Sequence, residues 1–135
     1  LGIKRAWIVN GEDGLDEITV TAPTRVTHIG SEKTESKIIT PEDFGLQQWN
    51  ISDLKGGDAT ENAQALRALL EGKKGAYRDI VLANAAAVIT LRHDHNDLKA
   101  AVKQSAEAID SGDASRVLKD YVVLSRSDIN EDAPA

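Results

Sequence analysis

Residues 5–17 have the sequence RAWIVNGEDGLDE, and this stretch says most about the fold. The apolar run at 6–9 is short, contains β-branched residues and ends at Asn10-Gly11. These features predict a β-strand that is buried on both faces, as strands of α/β domains often are. An acidic loop punctuated by glycine follows at once, and ligands of α/β sheets bind beyond the carboxyl ends of the strands. The stretch therefore predicts an α/β fold with a candidate site in the loop.

The rest of the first third is predicted to be rich in β-strands. Residues 18–21 alternate between apolar and polar side chains, which is typical of a half-buried strand. Two more strands are predicted at 25–29 and 35–40. We expect these strands to be antiparallel to one another, with the first strand outside that arrangement.

The chain becomes helical after Pro41. Asp58 stands three residues before Glu61, which is the spacing of a capping box at the start of a helix. The second helix is apolar nearly all round, so we expect it to be buried on most sides. The predicted helices span 59–71, 77–91, 97–109 and 114–123, and a polar, frayed tail follows at 125–135. Gly72 is predicted to end the first of these helices.

Composition excludes several classes of function. With 135 residues, the chain has room for one domain. It contains no cysteine, which rules out disulfides, thiolate metal sites and cysteine nucleophiles. A net charge of −6 without a basic run argues against a nucleic-acid partner. No apolar stretch approaches the length of a membrane span, and a cytoplasmic protein is the default expectation.

Four carboxylates lie in the acidic loop: Glu12, Asp13, Asp16 and Glu17. Carboxylates packed together repel one another unless water or cations lie between them. Magnesium (Mg²⁺) commonly binds one or two carboxylates together with the oxygens of a substrate phosphate. Neighbouring side chains of a regular strand point to opposite faces, but those of a loop need not. Asp16 and Glu17 could therefore both face one metal site. The pattern alone favours a solvated acidic turn over a magnesium site and does not exclude either.

Residues 5–17 resemble the strand and metal loop of the anthranilate phosphoribosyltransferases. In that family, the Asp-Glu pair closing this loop binds the magnesium ions that hold phosphoribosyl pyrophosphate. The resemblance implies that Asp16 and Glu17 are magnesium ligands, and it carries over no catalytic residue. The similarity continues through further blocks at 39–46, 54–59, 61–63, 84–87 and 106–112.

The resemblance implies an α/β fold, namely the carboxy-terminal portion of a nucleoside phosphorylase/phosphoribosyltransferase-type catalytic domain, with a β-rich segment before about four helices. Residues 1–124 would belong to that domain, and 125–135 would be a disordered tail. The implied enzyme is a cytoplasmic glycosyltransferase of tryptophan biosynthesis. With magnesium, it would transfer the phosphoribosyl group from phosphoribosyl pyrophosphate to anthranilate, without a nucleic-acid or membrane partner.

Several parts of the family's pattern do not occur in these residues. The family has an amino-terminal helical domain that forms its homodimer interface and a Gly-Thr-Gly-Gly-Asp loop for the pyrophosphate. It also has a Lys-His-Gly-Asn segment and an arginine that contacts anthranilate. The chain contains no methionine, even at position 1. We therefore expect it to be cut from a longer protein and to be inactive alone.

Two alternatives come from other classes. A pyrimidine nucleoside phosphorylase would share the fold, but phosphorolysis does not need a magnesium–pyrophosphate clamp, so the acidic pair favours the transferase. The other alternative is a non-catalytic fragment or interaction module, acting alone or docked with a partner chain.

The remaining polar candidates are predicted to be structural. Residues 55–58 precede a helix, whose amino terminus attracts anions, but Asp58 would itself occupy that position as the cap. His93 and His95 have a spacing that could hold zinc, although a solvated connector between helices is favoured. The other expectations are an exposed His28, packing roles for Trp7 and Trp49, and a hydrogen-bonded core position for Asn84.

Overall fold

A computed structural model describes residues 4–30, 33–93 and 97–127 of the chain. Within these described residues, three strands come first, followed by two short 3₁₀ helices and then four α-helices. The strands are hydrogen-bonded in the order β1-β2-β3. The elements are β1 (Ala6–Gly11), β2 (Thr24–Ile29), β3 (Thr34–Ile39), the 3₁₀ helices Pro41–Phe44 and Ile51–Leu54, α1 (Ala59–Leu70), α2 (Ala76–His93), α3 (Leu98–Asp110) and α4 (Asp113–Arg126).

The first strand differs from the prediction in its pairing and its burial. β1 pairs antiparallel with β2, so that Ala6 lies opposite Ile29. Trp7 and Val9 pack against the core, whereas Ile8 is 61% exposed. The prediction of a strand buried on both faces and outside the antiparallel arrangement was therefore wrong. Only one face of this antiparallel sheet packs on the helices, so even an apolar run buries alternate side chains.

The strand predicted at residues 18–21 is absent, although the segment is buried, with Val20 at 0% exposure. Its backbone is bonded to side chains and to a loop instead of to a strand. The N–H of Thr19 donates to Oγ1 of Thr24 at 3.1 Å, and the carbonyl of Val20 accepts the N–H of Trp49 at 2.9 Å. The alternating pattern correctly indicated burial, but of an irregular segment.

The helix α1 begins and ends at signals found in the sequence. Oδ1 of Asp58 accepts the N–H groups of Thr60 and Glu61 at 2.8 and 2.9 Å, and Oε2 of Glu61 accepts the N–H of Asp58 at 3.0 Å. Gly72 ends α1 with φ of +93°, a value that suits glycine. The last helix continues to Arg126, inside the predicted tail, and residues 128–135 lie outside the described part of the chain.

One core joins the sheet to α2 and α3. As predicted, α2 is buried along most of its length, although Val88 is 66% exposed. The helix α4 repeats the apolar spacing of α3, yet Val117 and Tyr121 are 64% and 66% exposed. In the described residues, no helix is long and apolar enough to cross a membrane. The central buried residues are Ile18, Val20, Val26, Ile39, Phe44, Ile80, Ala83, Ala86, Ala87, Leu98 and Ala101.

Candidate metal site in the acidic loop

The acidic loop starts with a tight turn that needs glycine at two positions. The N–H of Gly11 donates to the carbonyl of Leu15 at 2.8 Å, and the N–H of Gly14 donates to the carbonyl of Gly11 at 3.0 Å. Gly14 has φ of +94°, which side chains with a Cβ rarely adopt. A Cβ at Gly11 would lie only 2.5 Å from Oδ1 of Asp13. The glycines therefore let the chain turn sharply at the end of β1.

Asp13 is exposed, and its carboxylate holds the loop together through hydrogen bonds. Its Oδ2 accepts the hydroxyl of Thr19 at 2.6 Å and also the hydroxyl of Thr21, while its Oδ1 accepts the N–H of Leu15 at 3.1 Å. Burial raises the pKa of the Asp13 carboxyl, but these hydrogen bonds together outweigh it and lower the pKa below its ordinary 3.8. Asp13 is thus ionised and tied to the segment that follows the loop.

Glu12 points to a different partner. Its Oε1 lies 3.8 Å from Nη2 of Arg25 on the neighbouring strand, and both side chains are about half exposed or more, at 46% and 64%. Such a long, exposed pair contributes little to stability. The backbone N–H of Glu12 donates to the carbonyl of Pro23 at 2.9 Å, which ties the loop to the start of β2.

Asp16 and Glu17 are both exposed, and the negative charge of Asp16 acts on the Glu17 carboxyl. Partial burial raises the pKa of Glu17 above its ordinary 4.5, and the negative charges of Asp16 and Asp13 raise it further. The only hydrogen bond described for the Glu17 carboxylate comes from Nδ2 of Asn84, 3.0 Å from Oε2. The loop therefore concentrates negative charge at these two residues, and a cation would relieve it.

Asn84 lies on α2 and forms hydrogen bonds with Glu17 and Ile18 at the end of the acidic loop. Its Oδ1 lies 3.1 Å from the N–H of Ile18, and its Nδ2 lies 2.8 Å from the carbonyl of Ile18 and 2.9 Å from the carbonyl of Ile80. The prediction of a hydrogen-bonded core residue is confirmed. Its contact with Glu17 was missed, and the only sequence signal was a polar residue within the apolar run 80–89.

The donor set at Asp16 and Glu17 fits magnesium as the partner of a phosphate-bearing ligand. Among the described residues, no group of three or more histidine, aspartate or glutamate side chains could hold a metal ion by itself. Magnesium is usually bound by one or two carboxylates and completes its octahedron with water and substrate phosphate oxygens. Two exposed carboxylates with open solvent beside them leave room for those oxygens.

The other candidates from the sequence have structural roles or lie outside the described residues. The carboxylate of Asp58 occupies the amino terminus of α1, as predicted. The pair His93 and His95 lies outside the residues whose side chains are described. Trp49 packs on the core as predicted, while its Nε1 donates to Oδ2 of Asp79 at 2.8 Å.

His28 and Trp7 lie side by side on the sheet. Their rings meet edge to face with centroids 6.4 Å apart, and Nζ of Lys37 lies 5.3 Å from the Trp7 ring centroid. His28 is half-buried, not exposed as expected. Trp7 has the predicted packing role.

The fold agrees with what comparisons with known proteins show. Residues 1–115 match the family model described as "Glycosyl transferase family, a/b domain". The chain therefore belongs to this glycosyl transferase family. Among curated relatives, it is 52% identical over 128 residues to the anthranilate phosphoribosyltransferase of Beijerinckia indica, covering 95% of this chain and 37% of the relative. It is 46% identical to the one from Azospirillum brasilense, covering 100% of this chain and 38% of the relative.

Solved structures show the same likeness. Anthranilate phosphoribosyltransferase from Thermus thermophilus superposes with a TM-score of 0.80 at 35% identity, covering 91% of this chain and 36% of that one. The Saccharomyces cerevisiae enzyme in complex with PRPP and Mg superposes with a TM-score of 0.75 at 32% identity. The match covers 84% of this chain and 33% of that one. The predicted fold class is thereby confirmed. The chain spans little more than a third of the length of these proteins.

Proposed function

We propose that this chain is part of an anthranilate phosphoribosyltransferase, which transfers the phosphoribosyl group from phosphoribosyl pyrophosphate to the amine of anthranilate in tryptophan biosynthesis. The observation that carries the proposal is the acidic loop, where all four carboxylates are exposed and Asp13 is hydrogen-bonded to Thr19 and Thr21. This leaves Asp16 and Glu17 as the candidate metal ligands. The names of the relatives, which match 92% to 100% of this chain, support the same activity.

The two exposed carboxylates would be the chain's contribution to catalysis. Magnesium, when bound there, would neutralise the charge that develops on the departing pyrophosphate. Asp16 and Glu17 would hold the metal–pyrophosphate group at the end of β1, on a loop made rigid by Asp13. Anthranilate attacks as an uncharged amine and needs little activation, so we assign no acid–base residue to this chain.

Other parts of the proposed enzyme would complete the site. The cradle for the pyrophosphate, the recognition of anthranilate and the homodimer interface would come from parts of the protein outside these 135 residues. Residues 1–124 would belong to the catalytic domain, and we place the enzyme in the cytoplasm.

The proposal is tested by steady-state kinetics of the complete enzyme that contains this chain. We expect anthranilate consumption that depends on phosphoribosyl pyrophosphate and magnesium. The double variant Asp16→Asn/Glu17→Gln should lower turnover by about 100-fold or more, the loss typical when charge stabilisation of a transition state is removed. Glu12→Gln is the matched control in the same loop, and it should stay within about twofold because its ion pair with Arg25 is weak. An unsubstituted enzyme that leaves anthranilate unchanged would refute the proposal.

A further inference from the structure

We infer that Asn84 is a positioning residue for Glu17, an inference that rests on the proposed function. It is the only polar side chain in the apolar run 80–89. A polar amide among apolar neighbours costs stability unless its hydrogen bonds are made. All the bonds of Asn84 described here go to Ile80 on its own helix and to the adjacent residues Glu17 and Ile18 of the loop.

The orientation of the Asn84 amide follows from its partners. The backbone N–H of Ile18 can only donate, so Oδ1 must face it and Nδ2 must face the other side. Nδ2 then has two hydrogens for three acceptors: the carbonyls of Ile18 and Ile80 at 2.8 and 2.9 Å, and Oε2 of Glu17 at 3.0 Å. The amide therefore always presents a donor towards the end of the loop.

This arrangement fixes Glu17 at two points. Ile18 is 2% exposed, and both of its backbone polar groups bond to Asn84, so the residue next to Glu17 is anchored to the buried helix α2. The bond to Oε2 also orients the carboxylate and opposes its repulsion from Asp16 and Asp13. Partners that orient a metal-binding carboxylate in this way raise metal affinity, because the ligand does not have to be ordered when the metal binds.

The chain offers a matched control in Asn62. Its Oδ1 accepts the N–H of Gly57 at 3.0 Å and its Nδ2 donates to the carbonyl of Gly57 at 2.9 Å. Asn62 thus clamps both polar groups of one loop residue, as Asn84 does, but its described hydrogen bonds include none to a carboxylate. Asn62→Ala therefore removes a comparable backbone clamp without touching the acidic pair.

The test measures metal binding without turnover. Mn²⁺, used as a paramagnetic substitute for magnesium, is titrated into the complete enzyme with phosphoribosyl pyrophosphate and no anthranilate. Bound metal is followed by electron paramagnetic resonance. We expect Asn84→Ala to raise the Kd for Mn²⁺ about tenfold, the lower end of the effect of losing an outer partner of a ligand. Asn62→Ala should leave it unchanged. An unchanged Kd in folded Asn84→Ala, or an equal rise in both variants, would overturn the inference.

A second measurement needs no substitution at Asn84, in case that variant does not fold. The side-chain amide resonances of Asn84 should shift on addition of magnesium and phosphoribosyl pyrophosphate, with the same concentration dependence as metal binding. Resonances that do not shift while metal binds would contradict the positioning role of Asn84 but not the proposed function. No metal binding by the unsubstituted enzyme would contradict the proposed function itself, and the inference would fall with it.

Discussion

Oδ2 of Asp13 accepts the hydroxyl hydrogen of Thr19 at 2.6 Å, and this bond separates the roles of the acids in one short loop. Thr19 is only 2% exposed, so the carboxylate is tied to the protein's interior. Asp13 holds the loop in shape, and in our proposal the exposed carboxylates of Asp16 and Glu17 bind the metal.

The role of Asp13 should appear in the pH dependence of stability. Its pKa in the folded protein lies below 3.8, so its carboxylate stabilises the fold fully above that value, and the contribution is lost as the pH falls through the lowered pKa. At pH 7, Asp13→Asn should lower the free energy of unfolding by about 1 kcal/mol, the net value of an exposed hydrogen-bond network. Near pH 2 the difference should be smaller.

The free energy of unfolding of Asp13→Asn and of the unsubstituted protein is measured by urea unfolding at pH 7 and near pH 2. Glu12→Gln serves as the control and should change the free energy of unfolding by less than about 0.5 kcal/mol, as exposed substitutions generally do. A difference between Asp13→Asn and the unsubstituted protein that is the same at both pH values would show that ionised Asp13 does not clamp the loop.

Glu17 should behave in the opposite sense. Its pKa in the folded protein lies above 4.5, so its ionisation destabilises the fold as the pH rises from about 4.5 through the raised pKa. Glu17→Gln keeps an oxygen that can accept from Asn84 and removes the repulsion from Asp16. We expect this variant to be more stable than the unsubstituted protein at pH 7 by a few tenths of a kcal/mol, a small gain because the site is exposed.

The gain from Glu17→Gln should vanish at pH 3.5, where the carboxyl is protonated in the folded and the unfolded states. Thermal unfolding at pH 7 and pH 3.5 measures both effects. A variant less stable than the unsubstituted protein at pH 7 would mean that the charge of Glu17 supports the fold, contrary to our interpretation of a site strained by repulsion.

A third prediction concerns the contact between α2 and α3. Nη2 of Arg78 lies 2.8 Å from Oδ1 of Asp110, and the Arg78 side chain is 2% exposed. Asp110→Ala would leave this buried guanidinium without its carboxylate. We expect a loss of about 2 kcal/mol, less than for a fully buried pair because the Asp110 side chain is 48% exposed. Arg78→Met should cost less, since it removes the buried charge together with its need for a partner.

Chemical denaturation of Asp110→Ala and of Arg78→Met measures the free energy of unfolding of each variant. Asp113→Ala removes an acid from the exposed pair with Arg116, and it should cost less than about 1 kcal/mol. If Arg78→Met proved more damaging than Asp110→Ala, the arginine would matter for packing more than for its charge.

A fourth prediction concerns the 135-residue chain by itself. It should consume no anthranilate, because a substrate held only through a metal is poorly oriented for reaction. Magnesium usually needs phosphate oxygens to complete its site, so we expect isothermal titration calorimetry to find binding at about the millimolar level at best. Micromolar affinity, lost in Asp16→Asn/Glu17→Gln, would instead show a complete metal site within these residues.

Local sequence signals determined most of the secondary structure. Asp58 and Glu61 marked the start of α1, and Gly72 marked its end, because capping depends on residues within one turn of the helix. The acidic pair was predicted to bind magnesium only from its resemblance to a family, since Asp and Glu after glycine are also compatible with a solvated turn. The apolar pattern also located the buried segments, including 18–21, where it predicted the wrong element.

Only the tertiary structure decided which partners each acid contacts. Asn84 reaches Glu17 across 67 positions of sequence, and Arg78 reaches Asp110 across 32. Contacts of this kind depend on how α2 packs against the sheet and against α3, which no local pattern encodes. The exposure of Ile8 has the same origin, since an apolar strand is buried only where another layer covers it. Capping and periodicity are properties of neighbouring residues, whereas the site comes from helices and loops brought together by burial of a common core.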